Sequence, residues 1–296
     1  MRVAVTGQNG QVASSLAARA PRAGHEIVVL ARPAVNLANP ASVRAAIAQA
    51  RPDVIVNAAA YTAVDKAETD EAEAFTVNER GAGAVAAAAA ELGVPLLHLS
   101  TDYVFDGRGS EPYVETDPTG PLGVYGRSKL AGERAVMAAH GGNSAVLRTA
   151  WVYSPYGANF VKTMLRLAES REELGVVADQ IGNPTSALAI ADGLLALAER
   201  LHRDSDPALR GVFHMTAAGE ASWAEFAEQI FAGSADLGGP AATVRRITTA
   251  EFPTPVRRPA NSRLNSDKLF AAYGVRLPQW RTSLDEVMAM LLKQPK

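Results

Sequence analysis

The sequence predicts an α/β protein, a doubly wound parallel sheet carrying a second, smaller α+β lobe. Short runs rich in Val, Ile and Leu alternate with longer helical patterns through the first half, as parallel strands with crossover helices do. Those runs show little polar–apolar alternation, which is expected where helices cover both faces of a sheet. After Arg148 the rhythm breaks, and helical patterns stand apart between Pro- and Gly-rich connectors.

The first strand, Arg2 to Thr6, ends on a glycine turn that opens a helix near Gly10. Glu26 to Leu30 is the second strand, a helix begins near Ser42, and Asp53 to Asn57 is the third strand, giving βαβαβ. A helix from about Glu71, Ala-rich at Val85 to Ala90, leads to a strand at Pro95 to Leu99, and a helix from about Val124 leads to Ser144 to Arg148. In the second half, helical spacing covers Asn159 to Glu169, Ala187 to Arg200, Ser222 to Phe231 and Ser283 to Leu292. The connectors are Asp236 to Pro240 and Phe252 to Pro259. Tyr103 to Gly123, with Pro112, Pro118 and Pro121, is long for a loop in a compact domain, and such loops usually serve as lids or binding loops.

With 296 residues the chain can bury a substantial core in one large or two fused domains. Hydrophobic residues at 48% and charged residues at 20% exclude disorder for most of it. Balanced charge, 29 basic against 31 acidic residues, leaves no bulk electrostatic footprint for nucleic acid or an anionic membrane. The absence of cysteine excludes disulfides, thiolate metal sites and a cysteine nucleophile. A start that reaches a glycine turn after five strand residues has no room for a signal peptide, and no apolar run approaches the ~20 residues of a membrane span, so a cytoplasmic protein is expected.

The turn after the first strand reads Thr6-Gly7-Gln8-Asn9-Gly10-Gln11-Val12-Ala13. Glycine at 7 permits the tight turn, Gly10 lets backbone approach a pyrophosphate, and the small Ala13 lets the helix lie close on the sheet, as in Rossmann-type dinucleotide sites. The spacing is Gly-x-x-Gly-x-x-Ala instead of Gly-x-Gly-x-x-Gly, and such a turn can also be only a tight turn. Arg32 ends the second strand, where an NAD site usually offers a carboxylate. A guanidinium suits a 2′-phosphate, which favours NADPH, with NADH the second candidate and a solvated surface arginine the plain alternative.

Tyr125-x-x-x-Lys129 puts a phenol and an ammonium on one helical face, one turn apart. A phenol of pKa about 10 works poorly at pH 7 unless a nearby cation favours the phenolate, and a fall of about 3 units takes roughly 4 kcal/mol. Lys129 is the expected source of that effect. Leu99-Ser100-Thr101-Asp102 closes the fourth strand, at the edge where parallel sheets present groups to ligands, and Thr101 can hydrogen-bond a substrate carbonyl there. Hydroxyls at strand ends also serve simply as caps.

Gly7-x-x-Gly10-x-x-Ala13, Asn57-Ala58-Ala59-Ala60, Thr101 and Tyr125-x-x-x-Lys129 resemble, in order and spacing, the extended short-chain dehydrogenase/reductases. More narrowly, Gly10-Gln11-Val12, the strings Tyr61 to Glu68, Ser100 to Gly107 and Arg148 to Tyr153, and Asp179-Gln180-x-Gly182-x-Pro184-Thr185 are similar to the dTDP-4-dehydrorhamnose reductase family, over residues 1 to about 290. The resemblance implies that Gly10, Gln11, Val12, Ala60, Tyr61 and Thr62 line the cofactor, with Gly7, Ala59 and Arg32 in the same set. It implies that Tyr125 and Lys129 contact the nicotinamide ribose and carry the chemistry with Thr101, that Thr101, Asp102 and Trp151 hold the sugar nucleotide, and that Asn78 braces the helix of Tyr125. Arg257, Arg258 and Arg263 fall in the family's segment near the substrate, where arginines could grip a diphosphate. It also implies a dinucleotide-binding domain at 1–150 plus about 175–215, and a substrate-binding lobe at about 151–174 plus 216–296.

The chain departs from the pattern in two respects. Ser15 and Leu188 stand where some family members place glutamates of a magnesium site at a dimer contact, so no metal is expected and a homodimer stays open. Leu264-Asn265 replaces the family's Leu-Asp. The expected activity is NADPH-dependent reduction of the 4-keto group of dTDP-4-dehydro-β-L-rhamnose to dTDP-L-rhamnose, with Tyr125 as general acid, a dTDP-sugar as partner and neither nucleic acid nor membrane. A nucleotide-sugar dehydratase is disfavoured because Asp102-Tyr103 lacks the acidic pair that elimination uses. Another 4-ketoreductase or an epimerase remains, as does a non-catalytic dinucleotide-binding subunit resembling that of methionine adenosyltransferase, against which the intact Thr101, Tyr125 and Lys129 set speaks.

Overall fold

The computed structural model describes residues 1–292. From the N-terminus, β1 (Arg2–Thr6) leads through α1 (Gln11–Arg19) to β2 (Glu26–Leu30), and α2 (Pro40–Ala50) leads to β3 (Val54–Asn57). After α3 (Val64–Ala67), α4 (Glu71–Phe75) runs through a π-helical turn at Thr76–Gly81 into α5 (Ala82–Leu92), which returns the chain to β4 (Leu96–Thr101). α6 (Val124–His140) and β5 (Ser144–Thr149) follow. Next come β6 (Val152–Tyr153), α7 (Phe160–Ala168), β7 (Glu173–Val177), β8 (Ile181–Gly182), β9 (Thr185–Ser186) and α8 (Ala187–Arg203). β10 (Gly211–His214), β11 (Ala217–Ala218), β12 (Ala221–Ser222), α9 (Trp223–Asp236) and β13 (Thr243–Ile247) precede β14 (Asn261–Ser262), α10 (Asp267–Tyr273), β15 (Leu277–Gln279) and α11 (Trp280–Leu292).

The central sheet is parallel throughout, in the order β2-β1-β3-β4-β5-β10. The chain steps from β1 outward to β2 and then crosses back to β3, so the carboxyl ends of β1 and β3 flank the crevice where doubly wound sheets take their ligands. On one face Val3, Val5 and Leu147 pack with Leu16 of α1 and Ile190 and Leu194 of α8; on the other Ala4, Ile55 and Val146 pack with Ile47 of α2 and Val85 of α5. A separate core joins Leu165, Leu174, Phe226, Ile230, Trp280 and Val287 from α7, β7, α9 and α11. No helix among the described residues is long and apolar enough to cross a membrane.

Several boundaries move for identifiable reasons. α2 begins at Pro40 because Asn39 Oδ1 accepts from the N–H groups of Ala41 (3.1 Å) and Ser42 (3.3 Å), with Pro in the first turn. Pairing with β5 carries β4 on to Thr101, opposite Thr149. The helix expected from Glu71 is interrupted by the π turn, α9 continues to Asp236, and α11 starts at Trp280. β10 and α10 went unread, and the two-residue strands of the second half are too short to carry a period. The stretch Tyr103 to Gly123 is irregular but tethered: Tyr113 pairs with Leu264, its N–H donating to the Arg263 carbonyl at 2.8 Å.

Candidate active site

The carboxyl ends of β1, β3, β4 and β5 open on a single cleft of about 1100 Å³, and Gly7, Gly10, Gln11, Val12, Arg32, Ala59 to Thr62, Thr101, Asp102, Tyr125, Lys129 and Trp151 lie on its wall. At one end Gly7 adopts φ +87, a left-handed conformation that a side chain disfavours, and a Cβ there would stand 3.3 Å from that of Ala59. Gly10 begins α1 with no side-chain cap, so the first-turn N–H groups and the positive end of the helix dipole are unspent at the cleft. The Gln11 side chain is already engaged, donating to the Val152 carbonyl at 3.2 Å and accepting from Ser154 Oγ at 3.0 Å, which leaves its backbone for a ligand. Val12 is buried beneath the turn, and Arg32 is exposed on the cleft wall.

Across from the turn, Ala59, Ala60, Tyr61 and Thr62 follow β3. Buried Asn78, in the π turn, receives the Tyr61 N–H at 2.8 Å and donates to the Tyr61 carbonyl at 3.0 Å and to Ser128 Oγ at 2.9 Å. Ser128 Oγ in turn donates to the Tyr125 carbonyl at 2.9 Å. One amide therefore couples the segment after β3 to the helix of Tyr125. An uncapped helix N-terminus beside a glycine turn, with a guanidinium on the same cleft wall, is donor chemistry that suits a phosphorylated dinucleotide.

At the other end Tyr125 and Lys129 face the cleft from α6, with Thr101 and Asp102 at the end of β4. The Tyr103 ring meets that of Tyr125 edge-on, 5.5 Å between centroids. Thr101 Oγ1 donates to Asp102 Oδ1 at 3.0 Å and accepts from the Tyr103 N–H at 3.2 Å. Lys129 Nζ donates to the Leu99 carbonyl at 2.6 Å. Burial lowers the Lys129 ammonium to about 8, opposed by the Glu133 carboxylate. Burial also pushes the Tyr125 phenol above its ordinary value, opposed by the Thr101 hydroxyl and reinforced by Asp102 and Tyr103. The expectation that Lys129 makes this phenol acidic is therefore corrected: the lysine is bonded to a strand carbonyl, and burial penalises the phenolate more than any neighbour favours it. Burial likewise raises Asp102 to about 6, partly offset by hydrogen bonds from Ser262 and Thr101, and its Oδ2 has no partner.

Trp151 lines the cleft from a left-handed backbone, φ 47, and stacks on Trp223 with centroids 3.6 Å apart and planes 8° from parallel. Gly182 lies against the same ring, where a Cβ would come within 2.5 Å. Two of the three arginines near the late motif are engaged with protein partners, and Arg257 is exposed. Arg263 is spent on the Ser110 carbonyl, Asn261 Oδ1 (2.9 Å) and Glu220 (3.2 Å), Arg258 pairs with Asp65 at 2.6 Å, and neither lines the cleft. Asn265 accepts from the Asp267 N–H at 2.7 Å at the start of α10. Ser15 and Leu188 are buried. The sequence reading missed Glu133 and Arg148, a buried pair joined by two hydrogen bonds of 2.9 and 2.7 Å. The available signal was a glutamate four residues after Lys129, one helical turn on.

The RmlD substrate binding domain family matches residues 1–293. A dTDP-4-dehydrorhamnose reductase of Sinorhizobium fredii is 54% identical over 296 residues, spanning 100% of this chain and 99% of that protein. The crystal structure of a dTDP-4-dehydrorhamnose reductase from Clostridium acetobutylicum superposes with a TM-score of 0.90 at 36% identity, covering 98% of this chain and 99% of that one. One from Bacillus anthracis, in complex with NADP, gives 0.89 at 35% identity over the same shares. A match along the described length, a shared fold and the site motifs in place together make the chain a member of the RmlD substrate binding domain family, and with it an oxidoreductase of the dTDP-4-dehydrorhamnose reductase kind.

Proposed function

We propose that the protein reduces the 4-keto group of dTDP-4-dehydro-β-L-rhamnose to dTDP-L-rhamnose with NADPH. The observation that carries this reading is the convergence of Thr101, Tyr125 and Lys129 on the cleft that also holds the uncapped glycine turn, in a chain 54% identical to a reductase of that name. Gly7 to Val12 and Ala59 to Thr62 would hold the dinucleotide, with Arg32 taking the 2′-phosphate, within a unit formed by residues 1–150 and about 175–215. Residues of about 151–174 and 216–296 supply the substrate lobe. Bound there, NADPH supplies the hydride.

The Thr101 hydroxyl orients the substrate carbonyl, and Tyr125 donates the proton from its Oη to the forming alkoxide. A phenol that burial keeps protonated suits this role, because an alkoxide is a far stronger base than a phenolate and the transfer runs downhill. Lys129, one helical turn from Tyr125 on the cleft wall, would contact the nicotinamide ribose. Asp102, with its unpartnered oxygen, and Trp151 hold the sugar nucleotide. Purified protein given dTDP-4-dehydrorhamnose and NADPH is expected to consume NADPH in step with product. Cofactor absorbance that stays constant would defeat the reading.

A further inference from the structure

At the cleft floor and beneath it four polar residues from three elements form one buried cluster: Ser100 of β4, Lys129 and Glu133 of α6, and Arg148 of β5, each at most 4% exposed. Glu133 Oε1 accepts from Ser100 Oγ at 2.5 Å and from Arg148 Nε at 2.9 Å, and Oε2 accepts from Arg148 Nη2 at 2.7 Å. The guanidinium also lies over the Phe105 ring, 5.0 Å from its centroid. Resting on the reductase reading above, we propose that Glu133 is a positioning residue: its carboxylate, locked between Arg148 and Ser100, supplies the counter-charge for the Lys129 ammonium and pins the strand end that carries Thr101.

The placement argues for this beyond a simple structural pair. Arg148 and Glu133 are already joined by two hydrogen bonds, yet the carboxylate takes a third donor from Ser100, the residue immediately before Thr101. Glu133 follows Lys129 by one helical turn and Tyr125 by two, so a single side chain ties the helix of both to the strand end opposite. Buried charges are costly unless paired, and packed apolar side chains could fill the same volume, so this arrangement calls for a role. The charged and titratable groups around Lys129 are Tyr125 and Glu133 of its own helix, His98 of β4, Asp102 just past that strand, and Arg148 of β5. The π turn packed on α6 adds the neutral Asn78. Of these, Asp102 and Glu133 are the carboxylates. Asp102 opens on the cleft, whereas Glu133 is enclosed, held by Arg148 and Ser100, and stands one turn from Lys129 on the same helix.

The test reads Lys129 directly, apart from catalysis. The lysine Cε carbons are labelled with carbon-13 and followed against pH by NMR, the Lys129 resonance being assigned by its loss in Lys129→Met. In the wild-type protein the midpoint is expected near 8, burial lowering it from the ordinary lysine value. In Glu133→Gln it is expected to fall by about one pH unit, because the Arg148 cation is then unopposed, and the basic limb of kcat falls with it. Glu133→Gln combined with Arg148→Met removes both members of the buried pair, guards against misfolding caused by a lone Arg148 cation, and is expected to titrate between the two. A Lys129 midpoint unmoved in folded variants overturns the proposal and leaves Glu133 as a partner of Arg148 alone. A midpoint that follows Glu133 in protein unable to reduce the sugar nucleotide upholds the counter-charge and rejects the reductase reading instead.

Discussion

Two side chains carry the proposed proton transfer and cofactor choice. Tyr125 is the proposed proton source, and its ring is already packed against Tyr103, so Tyr125→Phe keeps the packing and removes only the hydroxyl. Turnover in that variant is expected to fall by about 100-fold or more with NADPH affinity nearly unchanged, as steady-state rates and a cofactor titration would reveal. Near-normal turnover would place the proton elsewhere. Arg32 is exposed on the cleft wall, free to meet a phosphate. Arg32→Asp is expected to move the ratio of kcat/KM for NADPH over NADH toward NADH by about 10-fold or more, the worth of one charge-assisted hydrogen bond. An unchanged ratio would make Arg32 ordinary surface.

Between residue and fold, the decisive contact is α6 against the π turn. A Cβ at Gly132 would stand 2.1 Å from the Asn78 carbonyl oxygen, a backbone atom with nowhere to retreat, whereas one at Gly142 would meet nothing within 4 Å. Gly132→Ala is therefore expected to cost about 1–3 kcal/mol, a drop of several degrees in the melting temperature, while Gly142→Ala leaves it nearly unchanged. Calorimetry on the two variants checks this. Local pattern exposed much of the frame: the first five strands, the glycine turn and the Tyr125-x-x-x-Lys129 pair each lie within a few neighbouring residues. What stayed hidden depends on distant partners. β10 exists because β5 offers it an edge, and the π turn forms where α6 presses in. Glu133 becomes informative only once Arg148, 15 residues on, is folded against it. The high pKa of Tyr125 is likewise a property of burial that no spacing reveals.

Over the whole molecule, three buried groups set a pH dependence of stability. Burial, with Arg148 adding, lowers His214 to about 3; burial and Lys129 drive His98 well below its ordinary value; burial raises Asp102 to about 6. As pH falls below about 6.5, both histidines take up protons in the unfolded chain and not in the folded one, so each withdraws stability. Asp102 acts oppositely between about 6 and 4, where the folded chain keeps a proton that the unfolded chain has lost. Two groups against one leave a net loss of about 1.4 kcal/mol per pH unit across that window from these three. Melting temperature is thus expected to decline from pH 7 to pH 5, and a flat or rising profile would mean that the histidines charge in place.

The stacked pair Trp151–Trp223 has a further consequence. Among three tryptophans, the remaining one, Trp280, is fully enclosed in the second core, so the two indoles in face-to-face contact are the ones a visitor to the cleft can disturb. Parallel chromophores this close couple their transitions, and the sign and size of that coupling follow their mutual orientation. The protein thereby carries its own spectroscopic gauge: any guest that rotates Trp151 changes the near-ultraviolet circular dichroism, with no dye attached.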